Sequence, residues 1–105
     1  MVKLMFTIKF RSDMSTKEAH LYWRTTHRDL ALATPGVVAY TQNLKVEDLS
    51  TDVPWDGIVE LTFADEDAYR AAMTSEEWRS TYADVINFLD ADKITSAVVE
   101  AEHLR

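Results

Sequence analysis

The stretch S-T-K-E-A-H-L-Y-W-R-T-T-H-R-D-L-A-L, from Ser15 to Leu32, decides the fold because it combines a helix start with an apolar stripe. Ser15 followed by Glu18 is a capping box, in which the hydroxyl and the carboxylate each bond a free backbone N–H of the first turn. The helix is therefore predicted to begin at Thr16. At the helical repeat of 3.6 residues, one face carries Ala19, Trp23, His27 and Leu30. This places His27 among apolar residues that look inward.

The composition excludes several classes of protein. A chain of 105 residues forms one domain and is too short for a cofactor domain plus a substrate domain. Two glycines, Gly36 and Gly57, cannot form a glycine-rich nucleotide loop. A net charge of −7 without a basic run disfavours nucleic acid and anionic membranes as partners. Without cysteine the chain has no disulfides and no thiolate ligands for metals. Together with a first strand unlike a signal peptide, this favours the cytoplasm.

Alternating apolar residues from Val2 to Phe10 predict the first strand. The first helix is predicted to end at Pro35-Gly36, because proline cannot continue a helix. Three further strands are predicted at Val37 to Val46, Gly57 to Phe63 and Ile94 to Ala101. The order of elements is then strand–helix–strand repeated twice, the split βαβ arrangement.

The second helical region, from Asp65 onward, is predicted in two pieces. Thr74 with Glu77 forms another capping box inside the run, which indicates a break near Met73. The inward stripe of the second piece is predicted to be Trp78, Tyr82, Val85 and Leu89.

Such a β-α-β-β-α-β chain is an α+β fold with both helices on one face of a four-stranded antiparallel sheet. The other face would be bare. It carries side chains of intermediate polarity, such as Met5, Thr7 and Thr41, which an identical sheet could cover by two-fold pairing. A homodimer is therefore expected.

The helix contains Tyr22-Trp23-Arg24-Thr25-Thr26-His27, which resembles the Y-W-R-x-x-H motif of the EthD family. The residues that follow it include Pro35-Gly36-Val37 and Tyr40, which resemble the P-G-V-x-x-Y motif of the same family. The second half of the chain is also similar to that family, at Gly57 to Phe63, Trp78, Tyr82-Ala83-Asp84 and Phe88-Leu89-Asp90. The family takes its name from a gene cluster for ethyl tert-butyl ether degradation.

The resemblance implies a ferredoxin-like, dimeric α+β barrel with a pocket between sheet and helices. It implies that His27 corresponds to the motif histidine and that no cofactor is needed. The wider superfamily includes cofactor-independent monooxygenases, polyketide cyclases, dehydratases and lactone isomerases. One departure is that Arg28-Asp29 follow the histidine, where many relatives have a small residue and proline, which bears on the shape of the pocket mouth.

His27 is the candidate general acid/base, since an imidazole in an apolar pocket can take a proton from an acidic C–H or a phenol and return it elsewhere. The alternative is a core histidine with both nitrogens bonded to the protein. Tyr40 is the second catalytic candidate, because a buried phenol can polarise a substrate oxygen. Asp84 or Asp90 could orient His27. His20 lies two turns before His27, too far along the helix for both to hold one metal ion.

Six further residues are predicted to bind a hydrophobic or aromatic ligand, although aromatic residues at such spacings are more often core. They are Trp23, Phe6, Gln42, Trp78, Tyr82 and Phe88.

The leading hypothesis is a cofactor-independent enzyme in which His27 transfers protons during dehydration, cyclisation or isomerisation of a ring-containing or polyketide-like molecule. A monooxygenase is the alternative among enzymes, with the same base forming a substrate carbanion that reduces oxygen. The alternatives outside enzymes are a ligand-binding accessory module of a degradation pathway and a purely structural dimer.

Overall fold

A computed structural model describes residues 1–105 and shows a four-stranded antiparallel sheet in the order β2-β3-β1-β4. The strands are β1 (Val2–Ile8), β2 (Val37–Leu44), β3 (Gly57–Phe63) and β4 (Thr95–Glu100). The helices are α1 (Thr16–Tyr22), α2 (Arg28–Leu32), α3 (Glu66–Met73) and α4 (Glu76–Asp84). This is the ferredoxin-like α+β fold that the element order predicts. No helix has the length and apolar character needed to cross a bilayer.

The central strands β1 and β3 carry the inner face of the sheet. Leu4 pairs with Leu61 and Ile8 with Gly57, so alternate residues of β1 point toward the helices. The prediction that β1 reaches Phe10 was wrong, because the strand ends at Ile8. The backbone N–H of Phe10 instead donates to the Asp56 carboxylate at 2.8 Å, which takes Phe10 out of the sheet ladder.

Strands β2 and β4 are also shorter than predicted. β2 ends two residues before the predicted Val46, and β4 is shorter than predicted by one residue at each end. Such differences fall where a strand frays into a loop and edge pairing stops.

The cap of the first helix was predicted correctly in position but not in every bond. The Ser15 hydroxyl accepts the backbone N–H of Glu18 at 3.1 Å. The Glu18 carboxylate accepts that hydroxyl's proton, also at 3.1 Å, rather than a backbone N–H. Helix α1 therefore begins at Thr16 with one of the two backbone bonds of a capping box.

A π-helical turn, Trp23–His27, separates α1 from α2. Its wide turn is marked by the N–H of Arg28, which donates to the carbonyl of Trp23 five residues earlier. The extra residue changes the inward stripe, so that Ala31 is buried where Leu30 was predicted. The turn keeps Trp23 and His27 on the same buried face.

The second helical region breaks after Met73, as predicted, but the cap of α4 is Ser75 and not Thr74. Ser75 has the extended backbone of a capping residue, and its hydroxyl accepts the N–H of Trp78 at 3.1 Å. Thr74 is the C-cap of α3, with a helical backbone conformation, and its hydroxyl donates to the carbonyl of Ala71. Only the backbone conformation distinguishes the two adjacent hydroxyl residues.

The core lies between the inner sheet face and the helices. Its largest fully buried side chains are Trp23, Phe63 and Phe88. Trp23 occupies space that only a glycine leaves free, since a Cβ on Gly57 would lie 2.9 Å from the Trp23 ring and 2.7 Å from the carbonyl of Asn43. The π-helical turn is thereby held directly against β3.

Candidate active site

An apolar cavity lies between the inner face of the sheet and the helices. It has about 480 Å³ of empty space when its open mouth is included, and 13 of its 15 lining residues are hydrophobic. β1, β2 and β3 form its floor and the π-helical turn and α4 its walls. The lining residues are Phe6, Ile8, Trp23, His27, Ala31, Tyr40, Val59, Leu61, Trp78, Thr81, Tyr82, Val85, Phe88, Leu89 and Ile94.

His27 and Asp84 form a buried pair at this cavity. The imidazole Nδ1 lies 2.8 Å from the Asp84 carboxylate, and the two residues are 7% and 9% exposed. The His27 ring also packs against Phe88, with ring centroids 4.7 Å apart. Nε2 makes no hydrogen bond with the protein, and it retains accessible surface. The hydrogen bond to Asp84 thus fixes the orientation of the imidazole, and Nε2 is the ring nitrogen available to a ligand in the cavity.

The Asp84 carboxylate is itself held in place by two donors. Its Oδ1 accepts the hydroxyl of Tyr22 at 2.6 Å and the side-chain amide of Asn87 at 2.8 Å. Burial raises the pKa of Asp84, but its hydrogen bonds with Tyr22, His27 and Asn87 lower the pKa by more, so the net shift is downward. The hydrogen bond to Asp84 in turn raises the pKa of Tyr22. Asp84 is thus an ionised, acceptor-only group.

The protonation of His27 follows from its surroundings. Burial lowers the pKa of His27 below its usual value near 6.5, and the hydrogen bond to Asp84 opposes this shift without cancelling it. The imidazole is therefore neutral at neutral pH. Because the ionised carboxylate only accepts, the single ring proton lies on Nδ1. This leaves Nε2 with a free lone pair facing the cavity, which is the state that a general base requires.

Tyr40 supplies the second polar group of the cavity. Gln42 donates from its amide nitrogen to the Tyr40 hydroxyl at 2.9 Å and to the carbonyl of Trp23 at 2.8 Å. The Tyr40 oxygen is thus an acceptor within the protein, and its own O–H has no acceptor there. Burial raises the pKa of Tyr40, so the phenol stays protonated.

Seven of the eight predicted site residues line the cavity, and Gln42 does not. Its amide faces the back of Tyr40 and the π-helical turn, so its predicted contact with a ligand is replaced by a supporting contact. Tyr82 reaches the cavity but is 61% exposed, contrary to the prediction that it points fully inward. Phe6 and Trp78 stack with ring centroids 6.0 Å apart and form one flat wall.

Two residues hold Asp84. Sequence reasoning missed the role of Tyr22, and it indicated Asn87 as a hydrogen-bonding residue without connecting it to Asp84. Asn87 follows Asp84 by three residues, a spacing at which side chains meet on a helix, so this contact had a local signal. The hydroxyl of Tyr22 joins Asp84 across 62 residues of sequence, and no local pattern indicates that contact.

His20 lies on α1 beside Trp23, with ring centroids 6.3 Å apart, and does not line the cavity. No group of three or more His, Asp or Glu side chains is arranged to hold a metal ion.

The lowered pKa of His27 predicts a pH dependence of stability. The pKa of His27 is lower in the folded than in the unfolded chain, so at pH values between the two the unfolded chain binds more protons. The free energy of unfolding therefore falls as the pH drops below about 6.5. Urea denaturation of wild type and His27→Gln at about pH 7 and about pH 5.5 measures this difference. The wild type is expected to lose more stability than the variant. Equal losses in the two proteins would show that burial does not shift His27.

Comparison with known proteins places the chain in a family. The EthD domain matches residues 11–92. An EthD family protein from Bacillus halodurans C-125 is similar in structure with a TM-score of 0.83 and 20% identity, covering 97% of this chain and 99% of its own. HapK from Hahella chejuensis has a TM-score of 0.73 at 12% identity, with 97% and 93% coverage.

A further similar structure is a dimeric ferredoxin-like protein of unknown function from Thermobifida fusca YX, with a TM-score of 0.75, 15% identity and coverage of 95% and 90%. At these identities the structural matches establish the fold alone. No match was found among curated proteins. The domain match spans most of the sequence, so the chain belongs to the EthD family.

Proposed function

We propose that the chain is a cofactor-independent enzyme that transfers protons on a hydrophobic, ring-containing or polyketide-like molecule. The observation that carries this proposal is the buried His27, which lines the apolar cavity with Nδ1 bonded to Asp84 and Nε2 without a partner in the protein. A histidine that served packing alone would have both nitrogens satisfied by the protein. His27 is the catalytic acid/base and Asp84 is a positioning residue.

The step is a proton transfer. Nε2 removes a proton from the substrate. When the proton comes from an acidic C–H, the electron pair moves onto the adjacent carbonyl oxygen; when it comes from an O–H, that oxygen keeps the pair. The free O–H of Tyr40 can donate to that oxygen and stabilise the charge that develops there. The imidazolium then returns its proton. In an isomerisation the proton goes to another carbon of the enolate; in a cyclisation the enolate carbon attacks a second carbonyl of the substrate and the oxygen of that carbonyl takes the proton; in a dehydration the enolate expels a β-hydroxyl, which leaves with the proton as water.

Incubation of the wild type with candidate substrates in D₂O tests this proposal. The expected result is deuterium at the carbon next to the carbonyl without oxygen uptake, because the enolate is reprotonated from solvent-exchanged His27. Substrate-dependent oxygen uptake would identify a monooxygenase instead. Ligand binding without exchange or turnover would identify a binding module.

We also propose a homodimer formed through the outer face of the sheet. On this face Lys3, Met5 and Thr7 of β1 pair with Thr62, Glu60 and Ile58 of β3. No helix of this chain covers it, and Lys3 and Glu60 form an ion pair at 3.1 Å across it. The description of the Thermobifida fusca protein as dimeric supports the proposal.

Met5→Glu is expected to convert this dimer to a monomer, because it would place a carboxylate beside Glu60 on both copies. Light scattering coupled to size-exclusion chromatography measures the mass. Leu21→Glu is the matched control, since it adds the same charge at a half-exposed position on α1. A wild-type monomer, or a dimer that survives Met5→Glu, would contradict the proposed interface.

A further inference from the structure

We propose that the cavity selects an uncharged ligand that presents one hydrogen-bond acceptor to Tyr40 and one acidic hydrogen to His27. The inference rests on the same cavity as the proposed function but concerns binding, and it holds whether or not the ligand is turned over. It follows from the side chains behind the cavity, which fix the direction of each hydrogen bond inside it.

The donor is the hydroxyl of Tyr40. The carbonyl of Trp23 only accepts, so the Gln42 atom at 2.8 Å from it must be the amide nitrogen. That nitrogen has two hydrogens, of which one serves Trp23 and the other Tyr40. Gln42 therefore occupies the acceptor side of the phenol. The phenol proton has no acceptor in the protein, and a ligand oxygen in the cavity is its available partner.

The acceptor is Nε2 of His27. Tyr22 and Asn87 both donate to Oδ1 of Asp84, and Oδ2 faces Nδ1 of the imidazole at 2.8 Å. The ring proton is consequently on Nδ1, and Nε2 accepts. A ligand must offer a hydrogen at this point, either an O–H or a C–H made acidic by a neighbouring carbonyl.

The other polar side chains at the cavity, Thr81 and Tyr82, do not change the directions of these two hydrogen bonds. The hydroxyl of Thr81 donates to the backbone carbonyls of Leu30 and Glu77, which use its only proton. Tyr82 is 61% exposed at the cavity, so water can satisfy its hydroxyl. Thr81 can still accept through its lone pairs, so the cavity has one directed donor, Tyr40, and its basic acceptor is Nε2 of His27.

The cavity contains no permanently charged side chain that could pair with an ionised ligand. None of its lining residues is Lys, Arg, Asp or Glu, and the Asp84 carboxylate lies directly behind His27. An anion would lose its hydration and would gain a cation only if His27 took up a proton, which the burial of His27 disfavours, in a protein of net charge −7. A carboxylate or phosphate ester is thus rejected. The ligand class is a neutral, flat carbonyl compound with an enolic, phenolic or α-carbon hydrogen, lying against the Phe6–Trp78 wall.

Calorimetric binding of three naphthalene probes at neutral pH tests the charge requirement. They are 2-naphthol, which has an O–H to donate, 2-acetylnaphthalene, which accepts through its carbonyl and has no O–H, and the anion 2-naphthoate. The two neutral probes are expected to bind, and 2-naphthoate about a hundredfold more weakly or not at all. Comparable binding of 2-naphthoate would overturn the inference.

Two variants test the direction of each hydrogen bond. Tyr40→Phe is expected to weaken 2-acetylnaphthalene about three- to tenfold and 2-naphthol less, because a carbonyl is the better acceptor for the phenol proton. In Asp84→Asn the amide oxygen replaces Oδ1, where Tyr22 and Asn87 donate, so its NH₂ faces Nδ1 and moves the ring proton to Nε2. This variant is expected to weaken 2-naphthol and strengthen 2-acetylnaphthalene.

We call this outcome, in which each variant mainly weakens a different probe, the crossed pattern. It separates this inference from a general loss of packing, which would weaken both probes alike. Equal weakening of the two probes in both variants would overturn the inference. Should Asp84→Asn fail to fold, the conservative His27→Gln takes its place, with selective weakening of 2-naphthol expected and equal weakening again contradicting the inference. Because binding is measured without turnover, the crossed pattern can hold in a protein that shows no deuterium exchange. The failure of the proposed function and the failure of this inference are therefore distinguishable.

Discussion

His27→Gln is expected to turn over substrate ~10²–10⁴-fold more slowly than the wild type while still folding and dimerising. Glutamine can donate from its side-chain amide to Asp84, so the buried carboxylate keeps a partner. An amide is too weak a base to take a proton from carbon or from a phenol. The loss is therefore expected in kcat, with a smaller change in KM.

The matched control for this variant is His20→Gln. His20 lies on the same helical stretch, one turn before Trp23, but outside the cavity. Turnover by His20→Gln is expected to equal that of the wild type. Steady-state kinetics with circular dichroism on both variants completes the comparison, and wild-type turnover in folded His27→Gln would remove the proposed mechanism.

The parts of the fold that depend on local sequence were predictable. The alternation along β1 indicates a strand with one apolar face, and the residues that point inward are Leu4, Phe6 and Ile8. The Ser15 cap places the start of α1 correctly because its bond joins residues three apart. Both features need no knowledge of the rest of the chain.

The π-helical turn was not predictable, because its cause lies elsewhere in the chain. Trp23 fills the gap above Gly57, and Gln42 on β2 donates to the Trp23 carbonyl that also accepts the N–H of Arg28. The sequence spacing alone favours a regular helix with Leu30 inward. The contacts with β2 and β3 instead accompany a wider turn that brings Ala31 inward.

The partner of His27 illustrates the same limit. Asp84 and Asp90 were equal candidates, because sequence separation of more than 50 residues says nothing about distance. The structure distinguishes them through α4, whose last turn points Asp84 inward to Nδ1. Asp90 lies beyond that helix, where its backbone N–H donates to the carbonyl of Lys9. The candidate base was predictable from its helical face, whereas the group that sets its tautomer was not.

Trp23→Ala is expected to lower the free energy of unfolding by about 3–5 kcal/mol. Trp23 is 1% exposed and its ring packs edge-on against Phe10 with centroids 6.0 Å apart. The change removes one of the largest side chains from a core in which Gly57 has no side chain to fill the space. Since total stability is typically ~5–15 kcal/mol for a domain, the loss is a large share.

Guanidinium denaturation measures this loss, and Leu21→Ala is the matched control. Leu21 lies two residues earlier on α1 and is 50% exposed, so its truncation is expected to cost much less. The Trp23 variant also loses a wall of the cavity, so 2-naphthol binding should weaken in the folded protein. A stability loss no larger than that of Leu21→Ala would mean that the π-helical turn is held by its hydrogen bond with Gln42 and not by the indole packed against β3.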